Sequence, residues 1–331
     1  MIINQNTIDN LTDNHYLNEI YKESLFIDIE TTGLSRKYSD IISITILLYE
    51  NDKYIIYQIF CQYKIDQPEA LKYLKELMKT KKYIITYNGN SFDIPFLNEK
   101  AEQNNINIDF NSLIKIDLYN YMQKLKNKIS TDNLKLKTVE KHFSIERNDT
   151  LGGKDILTLY EAYRLEPRKE FSYLILMHNY EDVYNLPLIM NNIFNLYDDV
   201  LYLNNLIVTI NNTDIAIKKN SLQCKFNVIT NINKDFINHS MNYNIKLSVD
   251  SQTLEISVPL SFFKDNNIKE FYYLDNNEYK IKSYTAIKGI KRNLIPIKLN
   301  DKIYYENINS VVKEIIEEGF GHFEPKALSL L

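Results

Sequence analysis

The chain is short of several things, and each shortage removes a class of protein. It has two cysteines, Cys61 and Cys224, in 331 residues. No CxxC pair and no four-cysteine zinc site can be drawn from them, and a disulfide scaffold is excluded. Cysteine this sparse suits a reducing compartment, most simply the cytoplasm. Seven glycines leave no room for a collagen-like repeat. No apolar run approaches the ~20 residues that cross a bilayer, and one of the longest, Ile41–Tyr49, is interrupted by Ser43. The opening MIINQNTIDN lacks a basic segment followed by an apolar one, so it does not read as a signal peptide. A large excess of positive charge is missing too. Residues 1–200 carry 23 Lys+Arg against 29 Asp+Glu, and residues 201–331 carry 16 against 14. That excludes a generic polybasic nucleic-acid binder, but not an enzyme with a local phosphate-binding groove.

What is present is ordinary globular composition, 44% hydrophobic and 25% charged, at a length that suggests two domains. Ile, Asn, Lys and Tyr share AT-rich codons, so single Lys and Tyr residues carry little weight. Residues 1–22 are polar and read as a helical or irregular extension. Three strand-like runs follow, Ser24–Ile29, Ile41–Tyr49 and Lys53–Gln62, then a helix over Pro68–Lys81 with Asp66 as its cap. Tyr83–Tyr87 is a buried strand closed by the turn Asn88-Gly89-Asn90, and a helix restarts over Ser91–Gln103. Leu113–Ile116 is a short strand. The helical stretches Leu118–Ile129, Leu134–Phe143, Ile156–Arg164 and Arg168–Leu196 complete the first part. Beyond about residue 200 the periodicity changes to short strands between Asn- and Asp-rich turns (Leu206–Ile210, Ile215–Lys218, Lys225–Ile229, Ile245–Val249, Thr253–Val258, Phe271–Leu274), with a last helix at Asn309–Glu318. The boundary falls near 198–202. Strand–helix alternation after hairpins means an α/β domain with a mixed sheet.

Three acidic motifs stand out. In Phe26-Ile27-Asp28-Ile29-Glu30-Thr31-Thr32-Gly33-Leu34, residues two apart share a strand face, so Asp28 and Glu30 project side by side. Two carboxylates there repel and lose hydration, which a divalent cation with a taste for hard oxygen ligands relieves. The bland alternative is one acid in solvent and the other capping a turn. Asp93, in Tyr87-Asn88-Gly89-Asn90-Ser91-Phe92-Asp93-Ile94-Pro95-Phe96-Leu97, opens a helix, where an acid also complements the dipole. His178 and Asp182 lie four apart on a helix and share a face, with apolar flanks that imply burial. Asp117, between a strand and a helix, reads as a cap.

Taken together, FIDIETTGL, YNGNSFDIPFL and HNYEDVYNL resemble the three motifs of the DEDD superfamily of 3′–5′ exonucleases, over about residues 20–200. The stretch Leu134–Arg147, with the Gly152-Gly153 loop and Leu159-Tyr160-Glu161-Ala162-Tyr163, is similar to the insertion of the bacterial YprB-type branch. The resemblance implies an RNase H-like mixed sheet flanked by helices over residues 23–200, with 201–331 as a smaller β-rich domain. It implies two Mg²⁺ or Mn²⁺ ions on Asp28, Glu30, Asp93 and Asp182, and His178 as general base. His178 stands four residues before Asp182, the spacing of the superfamily's Tyr-containing motif, so a register in which Tyr180 or Glu181 contributes stays open. Thr31, Thr32, Leu34 and Asn88 fall where the family contacts the terminal nucleotide, with turn chemistry as the alternative. Lys135 and Lys137 are candidates to line a phosphate groove, against a solvated helix face. The resemblance implies a DNA 3′–5′ exonuclease in repair, with a helicase as a partner. RNA as substrate, or a non-catalytic nucleic-acid or partner-binding module, are the alternatives.

Overall fold

The computed structural model describes residues 1–320 apart from 198, 204–205, 229–231, 233 and 265–269. The end of the expected strand Lys225–Ile229, part of the expected boundary at 198–202, and the last eleven positions of the C-terminal region lie outside the described residues. Two compact units are resolved, dividing between Leu196 and Tyr197.

In the first unit the elements run β1 (Ile2–Ile8), α1 (His15–Lys22), β2 (Ser24–Thr31), β3 (Ile41–Glu50), β4 (Lys53–Phe60), α2 (Gln67–Met78), β5 (Tyr83–Thr86), α3 (Asp93–Gln103), β6 (Ile114–Asp117), α4 (Leu118–Lys124), α5 (Leu136–His142), α6 (Gly153–Leu165) and α7 (Lys169–Asn195). The strands form one sheet in the order β1-β4-β3-β2-β5-β6. β1 to β4, β4 to β3 and β3 to β2 are antiparallel, whereas β2 to β5 and β5 to β6 are parallel. β2 is therefore where the sheet changes sense, and the carboxyl end of such a strand is where open α/β sheets leave a crevice.

The alternation along β2 divides its side chains between two layers. Leu25, Ile27 and Ile29 pack with Leu71 and Leu74 of α2 and Phe96 and Leu97 of α3. Phe26, Asp28 and Glu30 take the opposite face, where Asn179 of α7 reaches Asp28. α7 is 27 residues long, and its apolar residues join Ile42, Phe60 and the α6 residues Ile156, Tyr160 and Tyr163 in a further cluster. It carries Pro187 inside; the Tyr21 hydroxyl donates to the Pro187 carbonyl at 3.1 Å.

Two expectations are corrected here. Residues 1–22 are not an irregular or helical extension throughout. Ile2–Ile8 is the edge strand of the sheet, paired with β4 from Ile2–Phe60 to Ile8–Tyr54. Its central side chains are exposed, and an edge strand with both faces wet shows no apolar alternation. α1 is entered through Asn14, whose side chain accepts from the amides of Tyr16 and Leu17. The helix expected from Ile156 starts earlier, at Gly153, because Asp155 accepts the Gly152 amide at 2.8 Å and organises a polar first turn.

The second unit holds β7 (Asp199–Leu203), β8 (Leu206–Ile210), β9 (Ile215–Lys218), β10 (Ser221–Val228), β11 (Phe236–His239), β12 (Asn244–Ser248), β13 (Thr253–Pro259), β14 (Ser261–Phe263), β15 (Phe271–Asp275), α8 (Asn276–Tyr279), β16 (Leu294–Leu299), β17 (Lys302–Ile303) and α9 (Tyr305–Gly319). One sheet runs β11-β12-β13-β10-β8-β7 with β9 also on β10, and a second runs β14-β15-β16-β17. Both sheets and α9 contribute to a single core that includes Phe226, Ile256, Ile295 and Val312. The whole is a mixed α/β fold with a mixed sheet flanked by helices and additional β-rich sheets, as expected.

Candidate functional site

The site lies at the carboxyl end of β2. The register sets Asp28 opposite Thr45 and Glu30 opposite Ser43, and it shifts after Glu30. α7 presents His178, Asn179 and Asp182 to the site from little more than one turn. His178 Nε2 stands 3.2 Å from Glu30 Oε1 and 3.5 Å from Asp182 Oδ2. A ligand atom of Glu30, of His178 and of Asp182 all lie within 4.8 Å of one another. Asn179 Nδ2 donates to Asp28 Oδ2 at 2.7 Å. Asp93, buried at the start of α3, accepts the Ile29 amide on Oδ1 at 3.1 Å. The structure thus brings Asp28, Glu30, Asp93, His178 and Asp182 to one place from the end of one strand and from two helices.

The electrostatics follow from crowding. Burial, reinforced by the charges of Asp93, Asp182 and Glu30, holds the Asp28 carboxyl well above its ordinary range. Burial raises Glu30 as well, although its contact with His178 works against the shift. Asp93 is pushed up to about 7, chiefly by burial and despite the hydrogen bond from the Ile29 amide. Burial opposes a charge on His178, but the carboxylates of Glu30, Asp182 and Asp149 outweigh it and lift the imidazole to about 9.

Part of the balancing charge comes from the segment after α5. Arg147, nearly buried, forks onto both oxygens of Glu140 at 3.0 and 3.1 Å, reaches Asp149 at 3.0 Å, and bonds Asp182 Oδ1. Asp149 in turn meets His178 Nδ1 at 2.6 Å and Lys137 Nζ at 2.9 Å. Those cations, once burial has been overcome, hold the Asp149 carboxyl well below its usual range. Glu181 accepts the amides of Asn148 and Asp149 at 2.9 and 2.8 Å, and Tyr180 stacks on Tyr184. These contacts turn neither side chain to Glu30, whereas His178 Nε2 lies 3.2 Å from Glu30 Oε1.

The candidate substrate residues separate. Thr31 Oγ1 donates to the Gly33 carbonyl at 2.9 Å, and Thr32 Oγ1 accepts the Asp40 amide at 2.8 Å, so both hold the loop. Leu34 at its tip is 85% exposed, free to meet a ligand. Asn88 has φ +64°, and its amide donates to Asp117 at 2.7 Å. Asp117 also accepts the amides of Asn90 and Tyr119, so it caps α4 and pins the turn at once. Lys135 is exposed. Lys137 is drawn onto Asp149 and the Leu151 carbonyl rather than left on an open helix face.

Arg147, Asp149 and Asn179 escaped the sequence reading as site residues. One signal was there for Arg147. The chain has five arginines, and this one stands alone between Arg36 and Arg164 in a region whose other cations are lysines.

A profile of the RNase_H superfamily matches residues 25–194, the span that contains the sheet from β2 onward, all the acids above and α7. The chain belongs to that superfamily. It is 32% identical to the DNA polymerase III PolC-type of Mycoplasma genitalium, over 32% of this chain and 9% of that one, so it spans about a tenth of this curated relative. Solved structures similar to it include the family B DNA polymerase from Pyrobaculum calidifontis (15% identity, 52% of this chain and 24% of that, TM-score 0.42). The Aedes aegypti Nibbler EXO domain is another (12%, 55% and 82%, TM-score 0.37). So is E. coli exonuclease I in complex with a dT13 oligonucleotide (13%, 60% and 54%, TM-score 0.28).

Proposed function

We propose that this protein is a metal-dependent nuclease that removes nucleotides from the 3′ end of DNA, as a YprB-type member of the superfamily. The observation that supports the reading is the gathering of four carboxylates, Asp28, Glu30, Asp93 and Asp182, from β2, α3 and α7, with His178 against Glu30 and Asp182. The donor set fits hard divalent cations. Asp28, Glu30, Asp93 and Asp182 offer only oxygens, and their mutual repulsion is the kind that Mg²⁺ or Mn²⁺ relieves. Two such ions, when bound by these four residues, supply Lewis-acid stabilisation of a phosphodiester and of the oxygens that attack it and leave it.

The chain's own residues do the rest. Glu30, Asp182 and Asp149 together lift His178; with cations held by Glu30 and Asp182, Nε2 would be free to take a proton from water. Asp149 on Nδ1 keeps the ring turned that way. Leu34 on the exposed loop and Asn88 in the pinned turn are placed to meet the terminal nucleotide, and Lys135 its backbone. The likeness to a DNA polymerase favours DNA as substrate. Among the described residues no helix is long and apolar enough to cross a membrane. The cytoplasmic repair setting with a helicase as partner is taken from the YprB-type resemblance.

The test is a gel with 3′- and 5′-labelled DNA and matched RNA in Mn²⁺. Loss of the 3′ label as mononucleotide, with the 5′-labelled strand shortening stepwise, is expected. Shortening confined to RNA transfers the site to a ribonuclease, and release of mononucleotide from the 5′ end overturns the assigned polarity.

A further inference from the structure

Asn179 lies next to His178 on α7, is wholly buried, and its side chain hydrogen-bonds within one small network. Its Oδ1 accepts hydrogen bonds from Ser43 Oγ at 2.8 Å and Thr45 Oγ1 at 2.6 Å, both on β3 and both wholly buried. Its Nδ2 donates to Asp28 Oδ2 at 2.7 Å. We propose that Asn179 is the positioning residue of Asp28, and that the Ser43–Thr45 hydroxyl pair sets the direction in which its amide faces. The proposal rests on the metal-site reading above.

With Asp28 ionised, the form that binds a cation, the chemistry of the three partners leaves one arrangement. An amide turned through half a rotation would present its oxygen to a carboxylate, and an ionised carboxylate only accepts. Hydroxyls donate or accept as required, so Ser43 and Thr45 both donate to Oδ1 when Nδ2 faces Asp28. With two donors on one oxygen and no water around it, the amide has no competing orientation. The strand register makes this possible: Thr45 is opposite Asp28 and Ser43 opposite Glu30, so the hydroxyls share the face on which the acids stand. α7 then delivers His178 and Asp182 to Glu30, and Asn179 to Asp28. One lone pair of Asp28 Oδ2 is taken by Asn179, which fixes the plane of the carboxylate and aims its remaining lone pairs out of the network. Partners of this kind behind a metal ligand typically contribute about 10–100-fold in metal affinity.

Mn²⁺ binding to the full chain, followed by the loss of the free-ion EPR signal, tests the assignment without relying on catalysis. Asn179→Ala should weaken Mn²⁺ binding about tenfold while circular dichroism stays unchanged. The pair Ser43→Ala with Thr45→Val keeps Asn179 but releases its amide, and should weaken binding several-fold. In an Asp28→Asn background, adding Asn179→Ala should change nothing further. A folded Asn179→Ala protein that binds Mn²⁺ like the wild type overturns the proposal. If that variant does not fold, unchanged affinity in the Ser43/Thr45 pair overturns it instead. Uptake of no Mn²⁺ by the wild type would sink the metal-site reading and this inference together, whereas normal wild-type uptake with unaffected variants removes only the role of Asn179.

Discussion

Carboxylates gathered in a small buried volume cost stability until a cation joins them, and that cost has a pH signature. Asp93 titrates ordinarily at 3.8 and here at about 7, so the folded chain holds its proton more tightly than the unfolded one. Its contribution is full below about pH 4 and is lost as pH rises through about 7. Between about pH 5 and pH 8 in EDTA, the wild type should lose on the order of 1–3 kcal/mol relative to Asp93→Asn. Urea titrations of both proteins at the two pH values check this, and parallel pH dependence would contradict it. Arg147 acts in the opposite sense. Four carboxylates surround its guanidinium, and Arg147→Met removes the cation they share, at an expected ~3–5 kcal/mol of stability. A loss within about 1 kcal/mol in urea unfolding would show that the cluster relaxes into solvent. These residues also mark what was legible. Asp28 and Glu30 are readable from a period of two, His178 and Asp182 from a period of four. Asn179 and Arg147 meet their partners across spacings such as Asn179–Asp28 and Arg147–Asp182, and no local periodicity encodes a contact of that range.

Among the elements, the turn after β5 carries the most constraint. A Cβ on Gly89 would lie 2.5 Å from the buried Thr86 side chain, and the same turn is held by two amide bonds to Asp117. Gly89→Ala must therefore move the entry to α3, and Asp93 with it. The expected cost is ~1–3 kcal/mol, with a fall in Mn²⁺ affinity, read by thermal unfolding and metal titration; a variant equal to the wild type in both would show that the turn yields without moving Asp93. The helices and central strands were legible because they bury one face or stripe. β1 was not, because an edge strand with exposed sides reads as polar coil. β16 was hidden for another reason: Pro296 lies inside it, and a proline argues against a strand. The chain accommodates it beside the register shift at Tyr272/Tyr273, where Pro296 stands opposite Tyr273.

For the molecule as a whole, the acids and the helix that completes them all belong to the first unit, while the second has its own core of strands around α9. Short strands between turn residues foretold a β-rich second unit, but not its pairing order, since β10 bonds β8 and β13 across long separations. We assign the proposed chemistry to the first unit. The most direct test of the account is hydrolysis of 3′-labelled DNA by the full chain with Mn²⁺, with EDTA, and after Asp28→Asn. The account predicts cleavage in the first case and none in the other two, with the variant still folded. Cleavage by Asp28→Asn at the wild-type rate would contradict it.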